Sequence, residues 1–209
     1  MYTLYARNQA GSMAVEALLA ACGADYRVIV LDRKPDGSFE DFFHAINPKA
    51  EVPTLILPDD SVMTESVAMM IYLADRYPEA GLSPAADAPD RARFLRWMVY
   101  MGTTIYMSDL RLFYPQRYTT ATAEAPGIQA KAEEMMTAEF AIYAAALGEG
   151  PFILGPVMSA ADIYAAMLCS WVPDVPGLFA RHPNLKRMYD AVVQHDAVRK
   201  VWARNEMTF

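Results

Sequence analysis

A change of pattern partway along the chain constrains its fold more than any other feature. From Met1 to about Tyr77 short β-rich runs alternate with helical periodicity, whereas from about Pro89 onward helical periodicity continues with hardly any strand. Such a switch separates an α/β part from an all-α part, because sheets and helices bury their apolar faces in different layers. Between the two lies PEAGLSPAADAPD (Pro78 to Asp90), rich in proline and carrying a glycine, which reads as a linker. The predicted organisation is therefore an α/β domain over 1–78, a linker over 79–89 and an all-helical domain over 90–209.

Within the first part, Tyr2 to Tyr5 is a short β run. GSMAVEALLAACG (Gly11 to Gly23) is a helix with a serine near its start and Gly23 at the C′ position. YRVIVL (Tyr26 to Leu31) is a strand by its β-branched content. A turn and a short helix from about Ser38 follow, stopping at Asn47-Pro48, since the residue before a proline is pushed out of the helical region. Thr54 to Leu57, the turn Pro58 to Asp60, and Ser61 to Met63 form a hairpin, and a helix runs from about Ser66 to Tyr77. The order β, α, β, α, β, β, α predicts a mixed four-stranded sheet: helical crossovers join the first strands and a tight turn pairs the last two.

In the second part, Arg91 to about Tyr114 carries Phe94, Leu95, Met98, Met101 and Ile105 on one helical face, and Ile128 to Leu147 does likewise. SAADIYAAMLCSW (Ser159 to Trp171) has Ser159 as N-cap with Asp162 at N3, a capping box with Asp in place of the usual Glu. Its almost wholly apolar body predicts a helix buried at the centre of a bundle. HPNLKRMYDAVVQHDAVRKVWA closes the chain with one or two shorter helices.

Composition narrows the function classes. A net charge of −7 without clustered Lys or Arg argues against nucleic acid as a partner, and Arg91 to Arg96 reads as the solvated side of a helix. Two distant cysteines, Cys22 and Cys169, exclude CxxC chemistry, and three histidines without ligand spacing leave no metal site expected. No run approaches the roughly 20 apolar residues of a membrane span, and MYTLYARN alternates rather than forming a signal sequence. A cytoplasmic protein without membrane contact is the expectation.

Four stretches, NPKAEVPTL, TESVAMMIYLADRYP, the linker into helices, and FILGPVMSAADIYAAML, give the chain a resemblance over essentially its whole length to the soluble, bacterial-type glutathione S-transferases. The resemblance implies a thioredoxin-like N-terminal domain, an all-α C-terminal bundle, glutathione as cosubstrate without a metal, a small hydrophobic electrophile as second substrate, and a homodimer. It implies that the Val52-Pro53 bond is cis, so that Val52 presents its main-chain N–H and C=O to the cysteinyl residue of glutathione. It places the γ-glutamyl carboxylate at Ser66, where the first amides of a helix lack internal partners, with Glu65 beside the α-ammonium. Lys49, in the loop before Pro53, and Arg7 are the candidates to neutralise the glycyl carboxylate. Glu51 stands where the family often carries Gln.

For thiol activation the family uses a Tyr, Ser or Cys after the first strand. In ARNQAGSMAVE, Ser12 is the hydroxyl available, with Asn8, Gln9 and backbone amides as other donors. Tyr100, Tyr106, Phe113 and Tyr114 are candidates for an electrophile pocket, and the same residues at helical spacing also suit a core or an interface. A non-catalytic binding module, or a glutathione-dependent isomerase or peroxidase, are the alternative readings of the same fold.

Overall fold

The computed structural model describes residues 1–207. In chain order its elements are β1 (Tyr2–Ala6), α1 (Ser12–Ala21), β2 (Tyr26–Val30), α2 (Asp41–Ile46), β3 (Thr54–Ile56), β4 (Val62–Met63), α3 (Ser66–Arg76), α4 (Arg91–Tyr100), α5 (Tyr106–Phe113), α6 (Ala125–Leu147), α7 (Ala160–Cys169), α8 (Val175–Arg181), α9 (Pro183–Gln194) and α10 (Asp196–Arg204). They divide into two compact units: Met1–Ala85 together with the chain from Val193 onward, and Ala86–Val192. The predicted helical domain ran to the last residue, so the return of α10 to the first unit is a departure from the sequence reading. Among the described residues no helix is long and apolar enough to cross a membrane.

The first unit is the predicted thioredoxin-like arrangement, a four-stranded mixed sheet in the order β2-β1-β3-β4. β1 is central, pairing in parallel with β2 (Leu4↔Val28) and antiparallel with β3 (Leu4↔Leu55). A strand flanked on both sides cannot reach water at either edge, and YTLYA is correspondingly buried along most of its length. α1 makes the crossover that a parallel pair requires, and packs against α3 and α10, burying every residue from Ser12 to Leu19. Gly23 closes α1 at φ +63°, as its C′ position predicts.

A second small core gathers Leu31, Phe39 and Phe43, with Tyr5, Ile29, Ile46, Ala50 and Val52 packed on it. It ties α2 and the loop before β3 to the sheet. α2 begins at Asp41 rather than near Ser38, because the Ser38 amide and hydroxyl both donate to Asp36 Oδ1 (2.9 and 2.6 Å), an Asx-type turn that competes with helix. The β3–β4 turn repeats the device, with Ser61 N–H and Oγ donating to Asp59 Oδ1 (3.1 and 2.6 Å).

In the second unit the long helix expected from Arg91 to about Tyr114 is interrupted by a π-helical segment, Met101–Ile105, between α4 and α5. α7 is buried from Ala160 through Cys169, as its apolar body predicts. Its start is fastened by Asp162: Oδ2 accepts from the Ser159 N–H and Oγ (2.8 and 2.7 Å), and Oδ1 accepts from the Ile153 N–H (2.8 Å).

Candidate functional site

The loop before β3 is built on two polar side chains that have no exposed role. Asn47, 4% exposed, donates through Nδ2 to the Glu51 carbonyl (3.0 Å) and to Thr54 Oγ1 (2.9 Å), while its Oδ1 accepts from the Lys49 N–H (3.1 Å). Thr54, fully buried, donates to the same Glu51 carbonyl (2.8 Å). These bonds fix residues 47–54, where the Val52-Pro53 peptide is cis. Among the described residues the Val52 N–H and C=O have no hydrogen-bond partner. The sequence reading used Asn47 only as a helix stop and did not pick out Thr54. An Asn-Pro followed by a threonine is too common a pattern to have marked either.

On the other strand of the hairpin, β4 pairs with β3 in the register Leu55↔Met63 and Ile56↔Val62. Carried past the end of the ladder, that register sets Pro53 opposite Glu65 and Val52 opposite Ser66. Glu65 caps α3 with φ +67° and ψ 99°, a conformation costing a non-glycine residue about 1 to 3 kcal/mol. Ser66 is the first residue of α3, so the helix start follows directly on the strained Glu65.

Lys49 completes the neighbourhood. Its ammonium is 2.9 Å from Glu51 Oε2, and Glu51, with Glu65 contributing more weakly, raises the lysine above its ordinary range. The carboxylate standing in the usual Gln position is thus paired. Both side chains are more than half exposed, at 65% and 54%, which limits the pair to at most about 1 kcal/mol.

The β1–α1 loop is held from inside and from the far end of the chain. Ser12, 1% exposed, donates its hydroxyl to the Arg7 carbonyl (3.0 Å) and accepts from the Arg7 N–H (3.2 Å). The hydroxyl singled out as thiol activator therefore closes the loop. Gln9, at φ +54°, donates its N–H to Asn205 Oδ1 (3.0 Å) and its Nε2 to the Asn205 carbonyl (3.3 Å). Asn8 lies exposed between these anchors. Among the described residues no hydrogen bond engages the amides of Gly11 and Ser12 at the start of α1. Both cysteines are buried free thiols, and burial pushes Cys22 up to about 11.

The four aromatic candidates of the helical unit have separate surroundings. Tyr100 donates to the Glu139 carbonyl (3.2 Å) and meets Trp97 edge-on at 5.3 Å, while Tyr106 packs against Tyr164 and Trp171. Tyr114 lies under the Arg117 guanidinium, and Phe113 is 49% exposed. A cleft of about 240 Å³ in this unit is lined instead by residues that include Met136, Phe140, Leu178 and Arg181. Among the described residues no cluster of three His, Cys, Asp or Glu could hold a metal ion.

Comparison with known proteins places this geometry. The family model described as the glutathione S-transferase N-terminal domain matches residues 12–76. The glutathione S-transferase GstA of Escherichia coli O157:H7 is 29% identical over 170 residues, covering 80% of this chain and 81% of that protein. A glutathione transferase homologue from Sulfitobacter, solved with bound glutathione, matches with a TM-score of 0.86 at 27% identity, covering 100% of this chain and 99% of that one. A sphingomonad glutathione S-transferase complexed with glutathione matches with a TM-score of 0.82, also at 27% identity, covering 99% and 100%. Residues 12–76 thus match the N-terminal domain of the glutathione S-transferases, and relatives and solved structures over most of the chain support that family.

Proposed function

We propose that the chain is a glutathione transferase whose first unit grips the tripeptide at three points and whose β1–α1 loop stabilises its thiolate for attack on a small apolar electrophile. One observation carries the reading: the unpartnered main chain of Val52 stands in register with the α3 start, where Glu65 holds a strained backbone. The unpartnered Val52 main chain and a helix N-terminus in register with it suit an extended peptide with a carboxylate at one end. Val52 pairs with the cysteinyl main chain, and Ser66 with the first α3 amides takes the γ-glutamyl carboxylate. Glu65 accepts from the α-ammonium and Lys49 faces the glycyl carboxylate. The glutathione-bound Sulfitobacter and sphingomonad proteins support the choice of ligand.

Lowering a thiol from about 8.5 to about 6.5 requires roughly 2.7 kcal/mol in favour of the thiolate. The α1 start supplies the Gly11 and Ser12 amides, and Asn8 supplies a neutral side-chain donor. A hydrogen bond to a charged group contributes about 1.5 to 3 kcal/mol and the helix dipole about 0.3 to 1, so these groups suffice without the Ser12 hydroxyl. Of the four aromatic candidates Phe113 is the exposed one, and its ring is open to an apolar molecule.

The burial of Ser12 Oγ against Arg7 favours a second reading, a glutathione binder without turnover. Calorimetry with glutathione, followed by a conjugation assay with a chromogenic electrophile, separates the two. Heat with turnover is expected, heat without turnover selects the binder, and no heat removes glutathione from both. The homodimer implied by the family likeness is checked by light scattering.

A further inference from the structure

We propose that Asn205, just beyond α10, is a positioning residue for thiol activation, holding the β1–α1 loop in the one shape that turns Asn8 and the first α1 amides outward. The inference rests on the glutathione reading above. Gln9 is the hinge of the argument. Its φ of +54° is left-handed, a conformation that costs a non-glycine residue about 1 kcal/mol or more and persists where the surroundings hold it. What holds it is a reciprocal pair of hydrogen bonds with one residue, Gln9 N–H to Asn205 Oδ1 at 3.0 Å and Gln9 Nε2 to the Asn205 carbonyl at 3.3 Å.

Asn205 is itself fixed. It is 3% exposed, and its Nδ2 donates to the Val201 carbonyl (2.9 Å) inside α10. α10 is in turn anchored to α1 by packing and by the Arg204 ion pair with Glu16, a carboxylate 2% exposed. The side-chain amide of Asn205 thus faces the carbonyl of its own helix with its nitrogen and the Gln9 N–H with its oxygen. That orientation satisfies all of these groups, and the opposite one satisfies none. Ser12 fixes one end of the same loop through Arg7, and the Met13 N–H bonds to the Ala10 carbonyl (2.9 Å) at the other. Remove the Asn205 contact and the stretch between these two fastenings, which contains Asn8, is left to relax. The tripeptide contacts at Val52, Glu65 and Ser66 belong to the β3–β4 hairpin and the α3 start, which the Asn205 hydrogen bonds to Gln9 and Val201 do not touch.

The test uses the full chain and two variants, Asn205→Ala and Gln9→Ala, the second at an exposed side chain that leaves the fold intact. Hydrogen exchange without glutathione reads the loop alone: the Gln9 amide, which donates to Asn205, should lose at least tenfold protection in Asn205→Ala while those of β1 keep theirs. Ultraviolet titration of bound glutathione reads the consequence. The thiolate midpoint should rise by about one unit in Asn205→Ala and by less in Gln9→Ala, with kcat at neutral pH down about tenfold and KM for glutathione within twofold of wild type. Unchanged exchange at Gln9 overturns the inference whatever glutathione does. Altered exchange with an unmoved midpoint and an unmoved kcat also overturns it, as would a loss that falls on KM. If Asn205→Ala does not fold, an unmoved midpoint in Gln9→Ala overturns it alone. A wild-type protein that gives no heat with glutathione fails the earlier reading instead, and the exchange result still decides whether Asn205 holds the loop.

Discussion

Lys49 and Glu51 show how one residue changes the meaning of another. A lone carboxylate at position 51, where the family often carries Gln, would repel an anionic tripeptide, and in the fold it forms an ion pair with the lysine assigned to that same tripeptide. On the proposed reading the ammonium is shared between Glu51 and the tripeptide, so removing the internal competitor should help. Glu51→Gln is expected to tighten glutathione binding about threefold to tenfold at low salt, the order of an exposed ion pair, with most of the gain lost near 1 M salt where the Debye length shrinks to about 3 Å. Calorimetry at two ionic strengths measures both effects, and equal affinities at low salt would take Lys49 out of the site. The sequence showed which residue types stood in this loop, but not that positions 49 and 51 face each other. Ser12 is the parallel case: its place near the helix start was readable, whereas the direction of its hydroxyl depends on the path of Arg7, which no local pattern encodes.

At the scale of an element, two buried aspartates in the helical unit differ in their partners, though burial raises both carboxyls. Asp162 was legible because a capping box is a local pattern, and its carboxylate accepts three donors, including an amide nine residues away that the pattern does not predict. Asp162→Asn replaces an acceptor oxygen by a donor and leaves buried N–H groups unpaired, so a loss of about 2 to 3 kcal/mol in denaturant unfolding is expected. Asp109, on α5, has no hydrogen-bond partner among the described residues, and burial raises it from 3.8 to about 7. A raised carboxyl means the folded chain holds a proton that the unfolded chain has lost between about pH 4 and 7. Stability therefore falls as pH rises through that window and stays low above it. Asp109→Asn should stabilise the protein by on the order of 2 kcal/mol at pH 8 and by almost nothing at pH 4. Chemical denaturation at the two pH values checks this, and an equal change at both would mean the carboxyl is not the cause. Neither Asp109 nor the π-helical segment before it was marked in the sequence, because a single polar residue on an apolar helical face carries no period of its own.

At the scale of the molecule, the order of elements and the helical half followed from periodicity, and the return of the chain did not. α10 reads as one more amphipathic helix after α9, and nothing local says that its apolar face belongs to α1, nearly the whole sequence away. The same distance hid the Gln9–Asn205 contact, whose partners stand 196 positions apart. The consequence is that the first unit is not complete at Ala85. α10 buries Val198, Val201 and Trp202, and at about 1.5 to 3 kcal/mol per large apolar side chain this amounts to on the order of 5 kcal/mol, comparable with the whole stability of a typical domain. Truncation after Gln194 also leaves the Glu16 carboxylate buried without Arg204, which adds a further penalty because an unpaired buried charge is far costlier than a paired one. The truncated chain should therefore lose hydrogen-exchange protection throughout β1 and α1 at neutral pH, while α7, whose capping and packing lie within residues 86–192, keeps its protection. Adding Glu16→Leu to the truncation should restore part of the loss by removing the stranded charge. Full protection of β1 in the truncated chain would mean that α10 covers the first unit without supporting it.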